Sequence, residues 1–109
     1  MGSLFENLII ADATKYLFNN RSTDKLYFWR DKTGNEVDLL VDHGAQQTAV
    51  ELKAGQTYSH DMLKGLTYWR QLPGVRTKES LLVYAGMHQQ KVGEHQIYNW
   101  QSYCTTRKN

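Results

Sequence analysis

Apolar and polar positions change rhythm several times along the chain, and each change marks an element. Leu4 to Phe18 lacks Gly and Pro over a length suited to a helix, so the first helix is predicted there. From Lys25 the rhythm shortens to alternation. Lys25–Arg30, Glu36–Asp42 and Thr48–Ala54 read as three strands, with Lys32-Thr33-Gly34-Asn35 and Gly44-Ala45-Gln46-Gln47 as the turns of an antiparallel meander. Helical spacing returns at Met62, Leu63, Leu66 and Trp69, with Ser59 as the N-cap and Pro73-Gly74 as the stop. Gly65 inside that helix costs about 1 kcal/mol relative to Ala, which predicts close packing against a neighbour. Leu81 to Ala85 is apolar without alternation, as suits a strand buried on both faces, so strand, helix and strand predict a crossover to a parallel partner. A short strand near His95–Asn99 and a polar tail over 105–109 complete the order αβββαββ. The predicted class is α/β (α+β): a mixed sheet flanked by helices, in one domain over residues 1–104.

Composition narrows the functions open to such a domain. With 109 residues the chain supports one modest core. Hydrophobic residues at 40% and charged residues at 22% exclude global disorder. A single cysteine, Cys104, excludes an internal disulfide and a zinc site built on several thiolates. The histidines His43, His60, His88 and His95 show no ligand spacing, and Cys104 has no base near it in sequence. Trp29, Trp69 and Trp100 read as core anchors. No apolar run approaches the roughly 20 residues of a membrane span, and no basic-then-apolar start is present, so a reduced, cytoplasmic protein is expected. The net charge of +2 permits a polyanionic partner without requiring one. Lys15, Arg30, Lys32, Lys64 and Arg70 are scattered, as on an ordinary solvated surface.

The acids of the meander occupy less ordinary places. Alternation puts Val37, Leu39 and Val41 on one face of the second strand, with Glu36 and Asp38 on the other. In the third strand Glu51 and Lys53 share a face, about 7 Å apart. Pairing across the Gly44 turn then brings Asp38 and Glu51 together. Two close carboxylates repel, and one takes up a proton unless a cation intervenes. A hard divalent ion, Mg²⁺ or Mn²⁺, would take such oxygen ligands, and Lys53 would neutralise a phosphate or hold a water. On the first helix Glu6 falls in a sector with Phe5, Ile9, Ile10 and Tyr16, where a buried carboxylate needs a partner.

These residues also carry a family likeness. Gly2-Ser3-Leu4-Phe5-Glu6-Asn7, then Tyr27 to Asp38 with its Gly34-Asn35-Glu36-Val37-Asp38 ending, then Val50-Glu51-Leu52-Lys53-Ala54-Gly55, resemble one uncharacterised domain. It is found C-terminal to the nucleotide-binding domain of many bacterial and archaeal AAA-type ATPases, and it is similar to the PD-(D/E)XK nuclease-like superfamily. Tyr98-Asn99-Trp100 resembles its closing segment. The resemblance implies a restriction-endonuclease-like αβββαβ core, Asp38 and Glu51 as metal-binding acids, Lys53 as the catalytic lysine and Glu6 as an auxiliary acid. Val37 stands where the superfamily's proline would be. No Gly-x-x-x-x-Gly-Lys-Ser/Thr loop occurs, so ATP hydrolysis is not assigned to this chain.

Two functions follow as expectations. One is Mg²⁺-dependent phosphodiester hydrolysis of nucleic acid, DNA being the superfamily's commonest substrate. The other is a non-catalytic module that docks, regulates or positions nucleic acid for an ATPase. The chain is then either an excised piece, partnered by an upstream ATPase domain, or a stand-alone version. The first helix adds a partner expectation, because it is apolar almost all round: Leu4, Leu8, Ala11 and Phe18 cover the side away from Phe5, Ile9 and Ala13. Either another protein surface, including a second copy of the chain, or the segment around Tyr98, Trp100 and Tyr103 is expected to cover it.

Overall fold

The computed structural model describes residues 4–107. The first helix, α1, is Leu4–Asn19, and a meander follows: β1 (Lys25–Arg30), β2 (Glu36–Asp42) and β3 (Gln47–Lys53). Asp31 organises the first turn, its Oδ1 accepting the amides of Thr33 and Asn35 at 2.9 Å each, and Gly34 supplies the φ of +95°. The second turn closes on Gly44 at φ +100°, whose N–H donates to Asp42 Oδ1 at 2.9 Å. A residue other than glycine would be strained at either place. A 3₁₀ turn over His60–Leu63 then leads into α2 (Lys64–Arg70), and β4 (Thr77–Tyr84), β5 (Gln90–Val92), β6 (His95–Asn99) and α3 (Trp100–Arg107) complete the chain.

The six strands form one sheet in the order β1-β2-β3-β4-β6-β5. β3–β4 and β4–β6 are parallel, and the other pairs antiparallel. The parallel pair β3–β4 is the crossover expected from strand, helix and strand. A helix layer covers each face. On one side α1 and α3 bury Ile9, Ala13 and Tyr103 against Leu39, Val50, Leu52, Leu81 and Val83. On the other, Leu63, Leu66 and Trp69 pack on Val37, Leu40, Ala49, Leu82 and Ile97. Adjacent residues of β3 and β4 thus face different cores, which is why these two strands are apolar without interruption.

The expected faces of β2 need correction. Val37 packs with the α2 core, whereas Leu39 and Val41 pack with the α1 core. Pairing explains the change: Tyr27 opposes Leu40 and Trp29 opposes Val37, so β2 carries one more residue than β1 between these pairs. That bulge at Asp38 and Leu39 shifts the side-chain phase, which a strict alternation cannot anticipate.

The ends of the chain differ too. α3 runs through Arg107 into the segment expected as a polar tail, while Lys108 and Asn109 lie outside the described residues. α3 is joined to α1 by the edge-on contact of Phe5 with Trp100, ring centroids 6.3 Å apart. The C-terminal segment therefore packs on the Phe5 and Ile9 side. It leaves Leu4, Leu8 and Phe18 exposed at 85%, 53% and 82%.

Candidate functional site

The β2–β3 ladder pairs Asp42 with Gln47, Val41 with Thr48, Leu40 with Ala49 and Leu39 with Val50. Beyond Leu39 the side-chain carboxylates take over from the backbone. Leu52 N–H donates to Asp38 Oδ2 at 2.8 Å, and Asp38 N–H donates to Glu51 Oε1 at 3.3 Å. Each acid bonds the backbone of the opposite strand, and the two carboxyl groups meet between the strands. The bulge in β2 lies at this point, and bulges re-aim side chains and end regular pairing.

Glu51 is only 4% exposed. Its cover is α2, and Gly65 makes that approach possible. A Cβ at position 65 would stand 2.8 Å from Glu51 Oε2 and 2.2 Å from the Glu36 carbonyl oxygen. Burial above all, then the hydrogen bond to Asp38 and the charge of Asp38, push the Glu51 carboxyl up to about 9, against the opposing pull of Lys53. Without a cation the pair thus shares one proton at neutral pH, as like charges in contact do.

The Asp38 side opens into a cleft of about 240 Å³ whose lining includes Glu6, Asn7, Phe28, Arg30, Asp38 and Lys53. Three of the four residues singled out from sequence, Glu6, Asp38 and Lys53, therefore border one cleft, with Glu51 beneath in contact with Asp38. Glu36 lies at the rim, exposed and ion-paired with Arg30 at 3.3 Å. Sequence reasoning did not find Phe28 in this wall. It is 77% exposed on the edge strand β1, and its only advance signal is an alternation that puts it in the same phase as Leu26, which packs on the α1 side.

The histidines are spread through the molecule. His43 lies between Asp24 and Thr48, His60 against Tyr58, and His95 between Ser80 and Thr67. Trp29 stacks on Tyr68 at 5.9 Å and meets Trp69 edge-on at 5.6 Å. Among the described residues no three His, Cys, Asp or Glu side chains gather into a group that could hold a metal ion. Any ion at Asp38 and Glu51 would thus have two protein carboxylates and complete its shell from water or substrate. That donor set suits Mg²⁺ or Mn²⁺, which are hard and retain waters, and the proton shared by the pair marks the charge a cation would replace. No helix among the described residues is long and apolar enough to cross a membrane. In comparisons with known proteins, residues 1–103 match a family described as a domain of unknown function, DUF4143. No curated protein matches.

Proposed function

The chain belongs to the DUF4143 family, whose domains are often associated with AAA ATPases, and for it we propose a divalent-metal-dependent phosphodiesterase that cuts nucleic acid, on a PD-(D/E)XK-like core. The observation that carries this reading is the split end of the β2–β3 ladder, where Asp38 and Glu51 exchange bonds with each other's strands beside Lys53 and Glu6. Asp38 and Glu51 would hold Mg²⁺ or Mn²⁺, and such an ion supplies charge stabilisation at a phosphate and a more acidic bound water. The ammonium of Lys53 provides a cation for a phosphate oxygen in the cleft. Glu6 provides an acceptor that orients water on the α1 side. The test is cleavage of duplex and single-stranded DNA with Mg²⁺ or Mn²⁺, comparing wild type, Asp38→Asn and Lys53→Met. Metal-dependent cutting that falls about 100-fold or more in both variants is the expected result. Equal cutting by wild type and Asp38→Asn would remove the assignment.

A second reading, a non-catalytic docking module, is favoured by the outer side of α1, where Leu4, Leu8 and Phe18 stand in solvent. An ATPase domain or a second copy of the chain would cover them. Sedimentation at several concentrations compares wild type with Leu8→Glu. Association lost in the variant supports an interface between copies, and a monomer at every concentration removes it.

A further inference from the structure

At the other end of β2 and β3 from the Asp38–Glu51 pair, a cavity of about 330 Å³ lies between the sheet and the α1–α3 layer. Most of its wall is apolar, with Leu17, Leu26, Val41 and Leu81 among the lining residues and the tyrosines Tyr98 and Tyr103 beside them. Asp24, His43, Thr48 and Glu79 form the polar side.

That polar side is fixed in place. His43 Nδ1 lies 2.7 Å from Asp24 Oδ2, and His43 Nε2 lies 2.8 Å from Thr48 Oγ1. Asp24 N–H donates in turn to Ser22 Oγ at 3.0 Å. Acid, imidazole and hydroxyl in series resemble the arrangement that activates a nucleophile. Here, however, Thr48 is 7% exposed and paired on both sides, with Val41 and Glu79, inside the sheet. The trio is a rigid wall with a carboxylate at its end.

Charge decides what such a wall accepts. Two carboxylates, Asp24 and Glu79, line the cavity, and among the described residues no lysine or arginine does. The side chain of Glu79 makes no hydrogen bond or ion pair among the described residues. A cationic head placed here gains the exposed Glu79 carboxylate at the mouth of an apolar wall, and tyrosine rings favour cations further. An anionic head meets like charge. The volume is at the low end for ligand pockets, about 300–1,000 Å³, and suits one ring with a short chain. We propose that this cavity binds a small amine carrying a single apolar ring. The site is independent of the Asp38–Glu51 chemistry.

Three probes sharing one phenethyl body test it: phenethylamine, 2-phenylethanol and 3-phenylpropionate, whose heads are cationic, neutral and anionic. Each is titrated into the ¹⁵N-labelled full chain to roughly 10 mM, a range that reads millimolar dissociation constants. Phenethylamine is expected to shift the amides of His43, Thr48 and Glu79, the alcohol to bind about tenfold more weakly, and the acid to leave them unmoved. Glu79→Gln, an exposed substitution, is expected to weaken the amine about tenfold while leaving the alcohol's affinity unchanged, an effect that general damage to the pocket would not produce. Equal affinity for all three probes, an acid that binds as well as the amine, shifts confined to the outer face of α1, or no shifts at these amides would each overturn the proposal.

Discussion

Glu51 is a carboxyl group whose proton belongs to the fold. Its ordinary value is 4.5, and burial with Asp38 in contact raises it to about 9 in the folded chain. Between those values the folded state holds a proton that the unfolded state has lost. The stabilisation linked to this group is therefore complete below 4.5 and is lost progressively as pH rises through about 9. Glu51→Gln keeps a neutral side chain at every pH. In urea unfolding with chelator present, the variant's stability relative to wild type is expected to improve by at least ~1 kcal/mol between pH 5 and pH 8. Identical pH slopes would place the proton elsewhere. At this scale, the closeness of Asp38 and Glu51 was legible from the tight Gly44 turn that joins their strands, not from strict alternation, which the bulge breaks at Asp38. The burial of Glu51 was not, since it depends on which helix lands on β3, a contact between residues 14 positions apart in sequence.

Among elements, α2 owes its position to the absence of one side chain. Alanine at position 65 would gain about 1 kcal/mol in helix propensity. Its Cβ would also stand 2.2 Å from the Glu36 carbonyl oxygen, a backbone atom that moves only with β2. Gly65→Ala is therefore expected to destabilise by about 2 kcal/mol net, with circular-dichroism melting as the check. A gain in stability would show that α2 stands further from β2. The glycine's close approach was readable in advance, because an interior helix glycine needs a reason. β1 and β2 were readable to the residue from alternation and turns, and β6 as a short strand near its place. The bulge was not, because an inserted residue leaves composition and hydropathy unchanged and appears only when two strands are paired. β5 is three residues long, and α3 (Trp100–Arg107) is rich in Gln, Ser and Thr; neither presents a period long enough to read.

In the molecule as a whole, one sheet serves two cores. Val50 and Leu52 of β3 face α1, while their neighbour Ala49 faces α2, so the central strands belong to both layers at once. Ile9 and Leu66 are both fully buried, one in each helix layer. Ile9→Ala and Leu66→Ala are each expected to cost 2–5 kcal/mol, roughly the range for such truncations. In both variants far-ultraviolet ellipticity and tryptophan fluorescence should still change together, in one transition. Separate midpoints for the two signals would mean that the layers melt independently. The mixed sheet with helices on both sides was legible from the order of elements, since an uninterrupted apolar strand after a helix requires cover on two faces. The division of Val37 and Leu39 between the two cores was beyond reach for the reason the bulge was.

The bond from Leu52 to Asp38 gives this amide an unusual place in hydrogen exchange. Strand amides in the middle of a sheet normally exchange only when the sheet opens, because another strand's carbonyl holds them. Leu52 lies in β3, but its N–H is held by a side-chain oxygen at 2.8 Å. In Asp38→Ala its protection is expected to fall by far more than the fold's global stability does, while the Val50 amide follows global stability alone. The exchange rate of Leu52 thus becomes a clock for the carboxylate contact itself: whatever pulls Asp38 away from β3 should quicken it without unfolding the protein.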